Sequence, residues 1–133
     1  MTAGSLDDRL PYYGEAVDTW HRLQAPDGRP LLDRLRFARS LASRTRGLLG
    51  RRSLPAGEGL AFREKSIHMF FMRMSLDIVF CDADMQVVRI VHRLSPWRLA
   101  ACRRARYVLE IGPGEAARIG LHEGMLLQVD PAF

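Results

Sequence analysis

Lysine is nearly missing from this chain: Lys65 is the only one among 20 basic residues. Arginine therefore carries the positive charge, and against 15 acidic residues it leaves a formal net charge of +5. Arginine suits planar recognition of carboxylate or phosphate. The arginines are scattered rather than gathered into a basic run, so no nucleic-acid partner is expected. Cysteine is also scarce. Cys81 and Cys102 have no CxxC spacing and no His or Cys partner at ligand spacing, so no metal and no cofactor is expected. In a reducing compartment both would be free thiols. There is no apolar run of ~18 residues, which excludes a membrane-spanning helix and argues against a membrane partner. The opening stretch MTAGSLDDRLPYYGEAVD has no apolar core of a secretory signal. The expected location is the cytoplasm.

What is present suits one domain. The chain has 133 residues, 47% of them hydrophobic and 26% charged, which is enough to bury a real core. Residues 1–15, with Pro11 and Gly14, read as a loosely ordered N-terminal arm, and residues 16–133 as a single globular β domain. Val17–Gln24 and Leu31–Ala38 flank the turn Pro26-Asp27-Gly28-Arg29 and predict a hairpin. Ser40–Gly50 is the best helix, with Ser40 as N-cap, Leu41, Thr45 and Leu48 on one face, Arg44 and Arg46 outward, and Gly50 as its stop. Gly59–Arg63 is a short strand, and Gln86–Leu94 alternates clearly. Leu99–Arg106 reads as a basic connection, Arg106–Gly112 as a strand, Pro113–Ile119 as a short helix with Pro113 in its first turn, and Leu126–Val129 as a last strand. No βαβ alternation or repeat is visible. The class is mainly β (α+β): a distorted β-sandwich or barrel of about seven mostly antiparallel strands with two short helices.

The chain is organised around Ser66–Asp84, SIHMFFMRMSLDIVFCDAD. Odd and even positions are both largely apolar, so a strand here has both faces covered. Its second half, Leu76–Cys81, forms an antiparallel hairpin with Gln86–Leu94. Asp77 demands explanation, because a buried carboxylate is costly unless it is hydrogen-bonded or paired. Either it is stitched to backbone amides or to an arginine such as Arg73 or Arg106, or it shares a cleft with His68.

The order of motifs resembles the domain of unknown function 192 family. Arg44-Thr45-Arg46-Gly47-Leu48-Leu49-Gly50-Arg51, Gly59-Leu60-Ala61-Phe62, Ile67-His68-Met69-Phe70-Phe71-Met72-Arg73, Leu76-Asp77-Ile78 and Tyr107-Val108-Leu109-Glu110 carry the likeness, over roughly residues 34–130. The resemblance implies one compact mainly-β domain and brings no assigned activity. Phe71, Ser75 and Met85 depart from the family pattern, where tryptophan, proline and a turn glycine are common. With Met85, that turn either avoids positive φ or is strained.

No catalytic signature accompanies these residues. Met69, Phe70, Phe71, Met72 and Met74 give a density of soft and aromatic side chains suited to adaptable apolar recognition, or simply to a core. Trp97 with Arg98 is placed to rim such a cleft. The candidate ligand-binding residues are therefore His68, Met72, Asp77, Trp97 and Glu110, and the expected function is non-catalytic binding of a small molecule or peptide in an apolar cleft. The competing reading is a hydrolase-like enzyme using Cys102, which lies among Arg98, Arg103 and Arg104, or a His68/Asp77 pair. A structural or nucleic-acid accessory role is the third.

Overall fold

The computed structural model describes residues 18–40, 43–44 and 48–133. Nine strands and one helix follow in order among them: β1 (Thr19–Gln24), β2 (Pro30–Phe37), β3 (Glu58–Phe62), β4 (Ser66–His68), β5 (Leu76–Cys81), β6 (Val87–Leu94), β7 (Leu99–Ala101), β8 (Tyr107–Ile111), α1 (Glu115–Arg118) and β9 (Gln128–Asp130). Seven strands form one sheet, in the order β9-β1-β2-β3-β8-β5-β6, curled into a half-barrel. The mainly-β class is as expected. The remaining two strands, β4 and β7, make a separate antiparallel ribbon.

Both expected hairpins form. β1 and β2 pair antiparallel around Gly28, whose φ of 89° only glycine adopts freely. β5 and β6 pair antiparallel. Their turn is strained rather than avoided: Met85 has φ 66°. Asp82 braces it, its carboxylate accepting the backbone N–H of Asp84 at 2.9 Å and of Gln86 at 3.0 Å.

Several local expectations need correction. The Ile67–Ser75 stretch does not run on as a strand: β4 ends at His68 and the chain turns through Phe71, at φ 65°. Leu99–Ala101 is a strand, not a plain connection, because it completes the ribbon against β4. Pro113 lies ahead of α1, whose N-cap is Gly114 in the left-handed region. The last strand starts at Gln128, and Leu126 makes only an isolated bridge with Gln86. One pair, β2 with β3, is parallel, so residues 38–57 cross over between them. In this crossover Ser43, Arg44 and Leu48 are helical. Ser40 caps as expected, accepting the backbone N–H of Ser43 on its hydroxyl at 3.0 Å. Gly50 has φ 85°, in keeping with its role as a stop. The expectations for residues 1–15 and for Leu41, Thr45, Arg46 and Gly47 fall outside the described residues.

The period-two alternation of the central strands sorts their side chains into two cores, one on each face of the sheet. Ala61, Val79, Cys81, Leu109 and Ile111 enter the first with Leu23, Leu32 and Leu121. Leu60, Phe62, Leu76, Ile78, Phe80 and Val108 enter the second with Met69, Met72, Met74 and Leu94. All six residues of β5 are buried because it lies between β8 and β6 with both faces covered. Asp77 therefore faces the first core and Glu110, opposite Ile78, faces the second.

Asp77 is fully buried and is satisfied by backbone amides. One oxygen accepts the N–H of Arg93 at 2.8 Å, the other that of Ala116 at 2.9 Å. It thereby ties the end of β6 and the start of α1 to β5. Replacing it with alanine strands both donors, and a hydrogen bond to a charged acceptor contributes roughly 1.5–3 kcal/mol. Asp77→Ala is expected to lower the unfolding free energy by about 3 kcal/mol, and Asp77→Asn, which keeps one acceptor, by about half as much. Urea denaturation measures both; equal costs, or a neutral Asp77→Ala, would contradict the assignment.

Candidate functional site

A groove of about 910 Å³ opens between the β4–β7 ribbon and one end of the main sheet. One wall is the ribbon itself, with Ile67, His68, Leu99, Ala100 and Ala101. The other is the end of β2 and β3, with Phe37, Ala38 and Phe62. Arg39, Arg44, Arg63 and Arg89 stand around it, with Glu64 as the one acidic residue of the lining among the described residues. The two ribbon strands pair only with each other; β4 leads into left-handed backbone at Phe71 and β7 follows another such residue, Trp97, at φ 71°.

Arg44 is the polar residue at the base of this groove. Its side chain is only 11% exposed, and its guanidinium lies over the Phe62 ring at 4.8 Å. One terminal nitrogen donates both to the Glu110 carboxylate at 2.7 Å and to the His68 carbonyl at 3.3 Å. The expectation that Arg44 points outward is thus overturned: a buried carboxylate draws it in. The fork is closed on one side only, since Arg44 Nε and Glu110 Oε1 make no hydrogen bond. Burial holds the Glu110 carboxyl above its ordinary range, while the charge and hydrogen bond of Arg44 pull it back down.

The five candidate residues do not converge. His68 is exposed, lines the groove and stacks on Phe70, ring centres 4.5 Å apart. Glu110 lies beneath Arg44 and reaches the groove through it. Met72 is buried in the second core with Met69 and Met74, so those methionines are core. Phe70, Phe71 and Trp97 instead form an exposed aromatic group beside the groove, with Trp97 4.8 Å from Phe71 and 5.8 Å from Phe70. Asp77 belongs to the opposite face of the sheet, bound to Arg93 and Ala116 rather than to His68.

The two cysteines differ in setting. Burial, then neighbouring Asp82, pushes the Cys81 thiol up to about 12, so it stays protonated and inert. Cys102 is half-buried against the second core, its backbone N–H donating to the Lys65 carbonyl at 2.8 Å. Among the described residues no three His, Cys, Asp or Glu side chains are grouped to hold a metal ion. Nothing local in the sequence distinguishes Arg39, Arg63 and Arg89, which line the groove, from arginines in solvent.

Comparison with known proteins agrees with this architecture. The DUF192 family model, described as Uncharacterized ACR, matches residues 23–129. A UPF0127 protein of Pyrococcus horikoshii is 47% identical over 49 residues, covering 36% of this chain and 41% of its own length. A UPF0127 protein of Pyrococcus abyssi is 37% identical over 65 residues, covering 48% and 50%. The chain spans a third to a half of the length of the relatives it matches. A solved structure from Sinorhizobium meliloti, named as a candidate transcription regulator, superposes with a TM-score of 0.72 at 25% identity, covering 87% of this chain and 96% of that one. A protein of unknown function from Novosphingobium aromaticivorans gives a TM-score of 0.70 at 26% identity, covering 90% and 89%.

The buried ion pair generates a stability prediction. Removing one member leaves the other charge uncompensated, at a cost of roughly 3–5 kcal/mol, whereas apolar replacement of both is often close to neutral. Arg44→Met is expected to cost about 3 kcal/mol, and Arg44→Met with Glu110→Leu less than half of that. The sign with pH follows from the raised carboxyl: wild type loses stability relative to Glu110→Gln as pH rises from the ordinary glutamate value through the folded one. Chemical denaturation of the four proteins across that window checks both; a double variant no more stable than Arg44→Met, or a pH trend of opposite sign, would contradict the pairing.

Proposed function

The chain belongs to the DUF192 family, and we propose that it acts by binding a small molecule or peptide, without catalysis, in the groove between the ribbon and the sheet. The observation that carries this is the groove itself. Its volume of about 910 Å³ falls within the roughly 300–1,000 Å³ of ordinary ligand clefts. Its character matches too: apolar side chains of Phe37, Phe62 and Ile67 on its walls, with arginines and His68 around them. His68 and Glu110 serve it, the first as wall and the second by fixing Arg44; Trp97 extends it along the exposed aromatic group. Met72 supports the turn from within the core, and Asp77 braces the opposite face.

A hydrolase-like role has less behind it. His68 and Asp77 are assigned to different sides of the sheet, and a base needs its orienting partner within hydrogen-bond reach. The same proposal puts the protein in the cytoplasm, where the free thiols Cys81 and Cys102 persist. Among the described residues no helix is long and apolar enough to cross a membrane.

A fragment screen by protein-observed NMR tests the binding role. Hits are expected to move the backbone signals of Phe62–Glu64, Ser66–His68 and Leu99–Ala101. Ala101 is exposed on the groove wall, so Ala101→Trp should fill the groove and abolish those shifts while leaving the melting temperature near that of wild type. Hits that map elsewhere, or that survive Ala101→Trp unchanged, would remove the groove from consideration.

A further inference from the structure

We propose that the groove takes a small apolar carboxylate, its acid group seated at Arg44 and its hydrocarbon body along Phe37, Phe62 and Ile67. This rests on the binding role above and specifies its ligand.

Charge comes first. Among the described residues Arg39, Arg44, Arg63, Arg89 and Glu64 line the groove; Glu110 pairs with Arg44 from beneath, so the three exposed arginines carry the groove's net positive charge. A cleft of one sign with apolar walls concentrates its field and draws the opposite charge. An anion is therefore favoured over a neutral or cationic guest. The walls then restrict which anion. Phe37, Phe62 and Ile67 are buried side chains whose groove-facing surfaces are apolar, and a fully hydrated ion such as free phosphate would leave them without a partner. An anion with a hydrocarbon body satisfies both.

Arg44 differs from the other three arginines in being largely buried. Arg39, Arg63 and Arg89 are exposed, the first two lying over the Phe37 and Tyr107 rings and the third donating to the Ala101 carbonyl. Arg44 is clamped between the Glu110 carboxylate, the His68 carbonyl and the Phe62 ring. A guanidinium fixed in this way spends little conformational entropy on binding. Its Nε–H is buried and makes no hydrogen bond, so the group retains donor capacity beyond what the fold uses. The planar fork of arginine matches a carboxylate, and charge-assisted bonds of this type are about twice as strong as neutral ones. Glu110 is a positioning residue here: it orients Arg44 and does not itself meet the ligand.

Octanoate and octanamide make a matched probe pair, alike in hydrocarbon body and differing in charge. Titrations of the full chain followed by NMR are expected to show octanoate binding in the groove at least about tenfold more tightly than octanamide. Arg44→Gln should remove most of that preference. Because Arg44→Gln disturbs a buried pair, the rim variant Arg63→Gln, at an exposed residue, supplies a second reading: octanoate affinity should fall about two- to fivefold, and added salt should mask the difference. Equal binding of the two probes in the groove would overturn the carboxylate assignment and leave the binding role standing. Binding of octanoate elsewhere, or a preference unmoved by Arg44→Gln, would overturn it as well. If fragments of every charge miss the groove, the binding role fails with it. A peptide of apolar residues that binds with its C-terminus amidated as tightly as with it free would also count against the carboxylate.

Discussion

One buried charge on the second face of the sheet governs the layout of this molecule. Glu110 sits in a central strand with no exposed surface, where an isolated carboxylate is not sustainable. Its partner must come from outside the sheet, and Arg44, 66 residues earlier, supplies it from the crossover. The same guanidinium nitrogen reaches the carbonyl of His68 on the ribbon. Three parts of the chain that are remote in sequence, namely the crossover, β8 and β4, thus meet at one cation. The groove lies over that meeting point.

The two faces of the sheet divide the labour. On the first, Asp77 uses a carboxylate as a brace, taking two backbone amides from the end of β6 and the start of α1. Nothing is left over there for a ligand. On the second, the Arg44–Glu110 fork leaves a donor and an acceptor without hydrogen bonds, and the face opens to solvent beside the ribbon. The aromatic group of Phe70, Phe71 and Trp97 lies next to the ribbon, two of its members in left-handed backbone that large side chains adopt at a cost of roughly 1–2 kcal/mol each. Strain of this kind at an exposed aromatic points to a use beyond packing.

Much of the sheet was legible from the sequence. Alternation in Gln86–Leu94, the Asp27-Gly28 turn and the doubly apolar run of Leu76–Cys81 are local signals, and each encodes its strand directly. The ribbon was not. Ser66–His68 and Leu99–Ala101 are three residues each, too short for periodicity, and are strands only because each pairs with the other. The parallel crossover was hidden for the same reason, since β2 and β3 are neighbours only in space. Asp77 and Glu110 were recognisable as anomalies in apolar strands, but the face each occupies depends on register and on a one-residue difference in phase. Helical spacing places Arg44 toward solvent, since it says nothing of a carboxylate waiting on a distant strand.

The state of the Arg44 guanidinium in solution bears most directly on this account, and nitrogen–proton NMR of the arginine side chains reads it. Clamped as described, Arg44 should give a slowly exchanging Nε–H and separately resolved terminal N–H signals, both lost in Glu110→Gln. A rapidly exchanging Nε–H with terminal signals averaged as in a free guanidinium would contradict it.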